Sequence, residues 1–135
     1  MLDPVVDDTG APFWGYAAQG ELRVQSCADC GELRFPPRPC CPHCQSFTSE
    51  WRLMSGHGRI WSYVVPHPPL LPDYAAQAPY NVVLVELEEA PRIRLVGNLV
   101  TAPGAPLNSL DPHRIRIGAK VHAVFAEGLP QWVLS

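Results

Sequence analysis

Hydrophobic and polar positions change their rhythm twice along the chain. The first twelve residues (MLDPVVDDTGAP) are polar and turn-rich and read as a tail that orders only against something else. A short helix is predicted over about residues 11–19, because Pro12 is tolerated in a first turn and Gly20 suits the stop. Its apolar members Phe13, Trp14 and Ala17 make no wide stripe. They suit either a lid on the chain's own domain or a docking helix, Phe13-Trp14 being a large apolar payload for so short an element.

From Glu21 to Ser49 aliphatic residues become scarce, and all five cysteines fall here together with Pro36, Pro37, Pro39 and Pro42. Such a stretch buries too little apolar surface to order itself, so a covalent or metallic constraint is required. From Glu50 the pattern turns strand-like. Trp51–Met54 runs into the turn cluster Ser55-Gly56-His57-Gly58, and residues 59–66 alternate Ile60, Ser62 and Val64 against Trp61, Tyr63 and Val65. A proline-rich loop over 66–79 carries Leu70, Leu71 and Tyr74. Further strands are predicted over 80–88, 92–100, 113–117, 120–125 and 131–134. Five or six short strands without a long helix suggest a small closed or partly open antiparallel barrel, since an open sheet of that size would leave edges and one face uncovered.

Composition sharpens this picture. In 135 residues, 47% are hydrophobic and 17% charged, which allows a real core and argues against long disorder. Sixteen prolines and ten glycines punctuate the chain too often for a helical bundle. No apolar run reaches the roughly 20 residues of a membrane helix, and the N-terminus lacks a basic-then-apolar signal, so a cytoplasmic protein is expected. The net charge is −3, and Lys120 is the single lysine among ten cations. Nothing supplies the concentrated basic surface of a nucleic-acid binder, although a local arginine patch could hold one phosphorylated ligand.

Cys27-x2-Cys30 and Cys41-x2-Cys44 are two knuckle-forming pairs separated by ten residues. Four thiolates complete a tetrahedral shell for zinc, and such a closed shell leaves no open position, so the expected ion is structural. Disulfides would need an oxidising compartment. A redox Cys-x-x-Cys would sit alone at a helix start. Cys40 is surplus: it could stand in for Cys41, but its spacing to Cys44 is one residue too long to match the first knuckle.

These residues form a recognisable series: Phe13-Trp14, Gly20-Glu21-Leu22, Cys27-x2-Cys30-Gly31, Phe35-Pro36-Pro37-Arg38, Cys41-Pro42-x-Cys44, then Gly56-x-Gly58-x-Ile60. Pro79-Tyr80 before a valine-rich strand and Ile117-Gly118 before Val121 continue it. The series resembles the zinc-ribbon plus OB-fold family associated with acyl-CoA enzymes, long catalogued as a domain of unknown function, over about residues 12–133. The doubled cysteine at 40–41 departs from the family, which usually has one there. The resemblance implies a mainly β chain: an N-terminal tail and short helix over 1–22, a rubredoxin-like zinc ribbon over 23–50, and a small antiparallel OB-fold barrel over 51–135. It also implies a companion subunit that docks on a thiolase-fold acyl-CoA enzyme, either a thiolase or a lipid-transfer-protein-like aldolase that cleaves steroid side chains as CoA thioesters. The companion would stabilise that enzyme and complete its acyl-CoA site.

No catalytic constellation stands out in the chain itself. His57, His67 and His113 fall in turns or loops, Ser55, Ser62 and Ser109 lack a nucleophile elbow, and Glu86, Glu88 and Glu89 read as an acidic rim. Candidate contacts to a partner or to acyl-CoA are Phe13, Trp14, Arg38, Arg59, Leu70, Leu71 and Tyr74. Arg38 is the arginine that matches the family, and Arg34 and Arg59 lie near the same junction in sequence. Guanidinium forks suit CoA phosphates. Two other functions compete: a nucleic-acid-binding ribbon and OB-fold module, and a stand-alone acyl-CoA hydrolase or transferase, which would need a nucleophile.

Overall fold

The structure, a computed structural model, describes residues 3–135. Met1 and Leu2 of the expected tail lie outside the described residues. Helix α1 (Ala11–Ala18) begins with Pro12 in its first turn and buries Phe13 and Ala17, four residues apart and therefore on one face. It stops at Gln19, and Gly20 turns the chain with a φ of 79° that other residues resist.

Strands β1 (Arg23–Cys27), β2 (Leu33–Arg34) and β3 (Ser49–Leu53) form a three-stranded antiparallel sheet with β1 in the middle. Gln25 lies opposite Arg34 on one side and opposite Trp51 on the other. Residues 51–53, expected with the barrel, are thus hydrogen-bonded into the ribbon sheet.

The second sheet holds β4 (His57–Val64), β5 (Val82–Leu87), β6 (Arg94–Gly97), β7 (Lys120–Ala126) and β8 (Leu129–Leu134) in the order β6-β5-β4-β7-β8, all antiparallel. A parallel bridge between Leu99 and Trp132 joins the two edges. There Trp132 N donates to Asn98 O at 3.0 Å and Val100 N to Trp132 O at 2.8 Å. The sheet therefore closes on itself as an OB-like barrel, which removes the free edges that would otherwise template association. Buried Asn81 secures the closure. Its amide donates to Leu99 O at 2.8 Å and accepts from Leu99 N at 2.6 Å, standing in for a strand at that point.

Ile60, Val83, Val85, Leu87, Leu99, Ile115, Val121 and Trp132 fill the interior. The filling is tight: a Cβ on Gly58 would come within 2.6 Å of Glu86 O, and one on Gly97 within 2.9 Å of the Trp132 ring. Phe13, Leu22, Val24 and Met54 belong to the same cluster, so helix, ribbon sheet and barrel share one core.

Three local outcomes differ from the pattern. The strand expected over 113–117 is a 3-10 turn at Pro112–Arg114, because Pro112 has no N–H for a ladder and Asp111 Oδ1 accepts His113 N at 3.0 Å. Only Ile115 of that segment points into the core. Strand β4 carries a register shift between Ile60 and Ser62, and Trp61 stands 44% exposed with the Arg94 guanidinium 3.9 Å above its ring. The proline-rich loop contains one helical turn, α2 (Pro72–Ala75). Among the described residues no helix is long and apolar enough to cross a membrane.

Candidate metal centre and its surroundings

Each Cys-x2-Cys pair is shaped by backbone amides. Cys30 N approaches Cys27 Sγ at 3.5 Å, Gly31 N donates to Cys27 O at 2.9 Å, and Gly31 has a φ of 77°. The second pair repeats the plan: Gln45 N donates to Cys41 O at 2.8 Å, and Gln45 itself has a φ of 62°. In both knuckles the residue after the second cysteine turns left-handed, a position glycine fills easily and glutamine at some cost. This repetition places Cys41 in register with Cys27.

The two knuckles bring the sulfurs of Cys27, Cys30, Cys41 and Cys44 within 4.8 Å of one another. Cys27 and Cys44 sulfurs are 3.5 Å apart and Cys30 and Cys41 sulfurs 3.7 Å apart. A zinc ion with bonds of about 2.3 Å to four thiolates requires sulfur–sulfur edges of about 3.8 Å, so the donor set fits it in element, number and spacing. Cys27 and Cys41 are buried while Cys30 and Cys44 face outward. Cys40 stands outside the group, its Sγ directed at Cys41 O at 3.7 Å, and His43 is exposed.

Electrostatics divide the four thiols into two kinds. The Cys30 N–H lowers the Cys27 thiol to about 6 against the opposing effect of burial, and the Cys44 N–H lowers Cys41 in the same way. Desolvation raises Cys30. Although the Ser46 N–H favours the Cys44 thiolate, the Cys27 sulfur beside it and desolvation push Cys44 up to about 12. Two sulfurs ionise more readily than an ordinary thiol and two resist, and all four would hold a divalent cation as thiolates. When bound, zinc supplies rigidity. The chain's own residues supply the knuckles, the amides aimed at sulfur and the closed shell.

The other candidate residues are dispersed. Phe13 is buried against Phe35 and Trp14, at ring separations of 5.2 Å and 5.0 Å, and serves the chain's own core. Trp14 is half-buried; with Asp3, Pro4, Val6, Gln77, Leu107 and Leu129 it lines an open depression of about 780 Å³. Arg38 and Arg59 are exposed, Arg59 lying directly across from Lys120 on one side and Glu86 on the other. Leu71 is 62% exposed, Leu70 and Tyr74 are half-buried, and Tyr74 packs on Tyr80 with ring centroids 6.0 Å apart.

Arg34, close in sequence to the junction that carries Arg38, offers no fork to a ligand: it is 5% exposed, held by Gln25 Oε1 at 3.1 Å and Arg38 O at 3.0 Å. Sequence reasoning passed over Gln25 entirely. The available signal was a polar residue two positions before a ligating cysteine on the same strand face, where burial is the default. Of the candidate nucleophiles, Ser55 is engaged by Glu89, its hydroxyl donating at 2.8 Å and its N–H at 2.7 Å. The half-buried His122 has its Nδ1 3.0 Å from Ser135 Oγ.

A ribbon closed by four thiols and continuous with an OB-like barrel defines a zinc-ribbon OB-fold protein. The chain belongs to the ChsH2 (DUF35) family: residues 14–50 match the model of the ChsH2 rubredoxin-like zinc ribbon domain, and residues 51–126 that of the ChsH2 C-terminal OB-fold domain. A Thermomonospora curvata protein named "Probable enoyl-CoA hydratase alpha subunit" is 40% identical over 97% of this chain. The Mycobacterium tuberculosis 3-oxo-4,17-pregnadiene-20-carboxyl-CoA hydratase alpha subunit is 36% identical over 99% of it. This chain spans 37% and 39% of the lengths of those two relatives. A solved structure titled Ltp2-ChsH2(DUF35) aldolase superposes with a TM-score of 0.84 and 37% identity, covering 98% of both chains.

Proposed function

We propose that this chain is a non-catalytic partner subunit of a thiolase-fold acyl-CoA enzyme, either a lipid-transfer-protein-like aldolase or a thiolase. In this reading it stabilises that enzyme and completes its acyl-CoA site. The observation that carries the proposal is the match to the Ltp2-ChsH2(DUF35) aldolase chain over nearly the full length of both. That title names two components, and the two curated relatives are themselves named as alpha subunits. The steroid CoA thioester in the mycobacterial name makes a steroid side chain the favoured acyl group.

The physical character of the chain suits that role. Metal and barrel both resist deformation, so surface residues are held in fixed relation at little entropic cost on docking. Arg38 and Arg59 offer exposed forks for CoA phosphates, and Trp14, Leu70, Leu71 and Tyr74 offer apolar area.

The test is co-expression with a thiolase-fold aldolase from the same genome. The two chains are expected to elute together from a sizing column, and the aldolase to lose solubility or CoA-thioester cleavage when this chain is omitted. An aldolase equally soluble and active alone overturns the proposal.

A further inference from the structure

Arg34 is a charge in an unfavourable place. It is buried, and its Nη1 has neither solvent nor a hydrogen-bond partner among the described residues. Its remaining contacts are neutral: Nε to Gln25 Oε1 and Nη2 to Arg38 O. Neither of the ribbon-side carboxylates that form ion pairs serves it: Glu21 pairs with Arg23 and Glu32 with Arg92. A guanidinium cannot shed its proton to escape burial, so an uncompensated Arg is strongly disfavoured unless negative charge lies close by.

The sheet register sets Arg34 beside the strand that carries the first knuckle. Gln25 and Cys27 are two apart on β1 and share a face, and Arg34 is the direct cross-strand neighbour of Gln25. The chain from Phe35 to Cys41 then crosses to the second knuckle. It is pinned on the way by Arg38 N donating to Gln25 Oε1 at 2.6 Å and Arg38 O accepting from Arg34. We propose that Arg34 is the internal counter-charge of the metal centre. Four thiolates around one divalent zinc carry a net charge of −2, and Arg34 is the buried cation beside the strand that supplies Cys27. By the same contacts it ties metal occupancy to the segment that presents Arg38. Loss of the metal removes the charge Arg34 answers, and with it the reason for the 35–38 backbone to stay clamped. This inference rests on zinc binding alone and stands or falls independently of any partner enzyme.

The experiment follows zinc release from the loaded full chain into excess chelator with a colorimetric indicator, for Arg34→Gln, Arg34→Lys and Gln25→Glu. Arg34→Gln is expected to release zinc at least about tenfold faster, the scale of one lost charge interaction in a partly desolvated site. Arg34→Lys keeps the charge without the fork and should recover most of the wild-type rate. Gln25→Glu keeps the acceptor but neutralises Arg34 from the other side, and should also accelerate release. Arg34→Lys as fast as Arg34→Gln would show that the fork's hydrogen bonds matter and the charge does not. Unchanged or slower release from Gln25→Glu overturns the proposal, and that isosteric variant decides the matter if the Arg34 variants fail to fold.

Discussion

The ribbon and the barrel solve the same problem with opposite means. The barrel closes on Ile60, Leu87, Leu99, Val121 and Trp132, all essentially inaccessible, and Asn81 completes its one irregular seam. The ribbon's buried residues between Arg23 and Ser49 are Val24, Gln25, Cys27, Arg34 and Cys41. Two of those five are polar or charged and two are thiols. Hydrophobic burial is the main drive in the first region, whereas in the second a metal must supply what apolar area does not. Their shared cluster of Phe13, Leu22, Val24 and Met54 means that the ribbon still leans on the barrel along one face.

The largest effect should come from attacking the ribbon at its metal. Cys41→Ser replaces a fully buried donor and should abolish stoichiometric zinc, removing a term of about 10 kcal/mol or more from the ribbon's folding. Atomic absorption on the purified variant should fall to near zero, and hydrogen exchange should show residues 23–50 unprotected while β4–β8 stay protected. Cys40→Ser is the control: its sulfur lies outside the cluster, so zinc content should be unchanged and stability should move by less than about 0.5 kcal/mol. Loss of metal from Cys40→Ser with retention in Cys41→Ser would reverse the ligand choice.

The barrel should fail in the complementary way. Trp132→Ala removes the largest buried side chain at the point where the sheet closes, at a cost of about 3–5 kcal/mol in urea unfolding. Zinc stoichiometry in the folded fraction should not change. Asn81→Ala is smaller, about 2–3 kcal/mol, since it strands the Leu99 N–H and C=O in a buried site without opening a large cavity. An equal loss of zinc in either variant would show that the two regions do not separate as their cores suggest.

What the sequence made legible follows the same division. The spacing of Cys27, Cys30, Cys41 and Cys44 is itself the geometry of the knuckles, so local pattern and local structure coincide. The strands expected over 80–88 and 120–125 likewise appear, as β5 and β7. Long-range facts escaped. Nothing local tells that Leu99 reaches Trp132 in parallel, or that residues 51–53 pair with β1 and leave the barrel sheet. Arg34 carries no local sign of its burial, which depends on Gln25 across the sheet and on the chain folding back so that Arg38 O, four residues later, meets its guanidinium. Residues 113–117 carried apolar alternation, but Pro112 and the Asp111 cap turned the chain before a ladder could form.

The smallest predicted effect lies where the two regions meet. Ser55 follows the last ribbon strand, and Glu89 follows β5 of the barrel, so their contact spans the joint. Burial alone would raise the Glu89 carboxyl, but the Ser55 N–H and hydroxyl, with Arg52 nearby, outweigh it and hold the group below the ordinary glutamate range. A depressed folded-state value means that the unfolded chain takes up this proton first as pH falls. The contribution is therefore complete above the unfolded value of about 4.3 and disappears as pH drops through the lower folded one. Because Glu89 is exposed, solvent screening keeps the contribution below about 1 kcal/mol. Glu89→Gln should accordingly lower urea stability slightly at pH 7 and match wild type once both are measured below that range. A deficit that persists unchanged at low pH would assign the contact's value to packing at the joint, with the carboxylate charge contributing nothing.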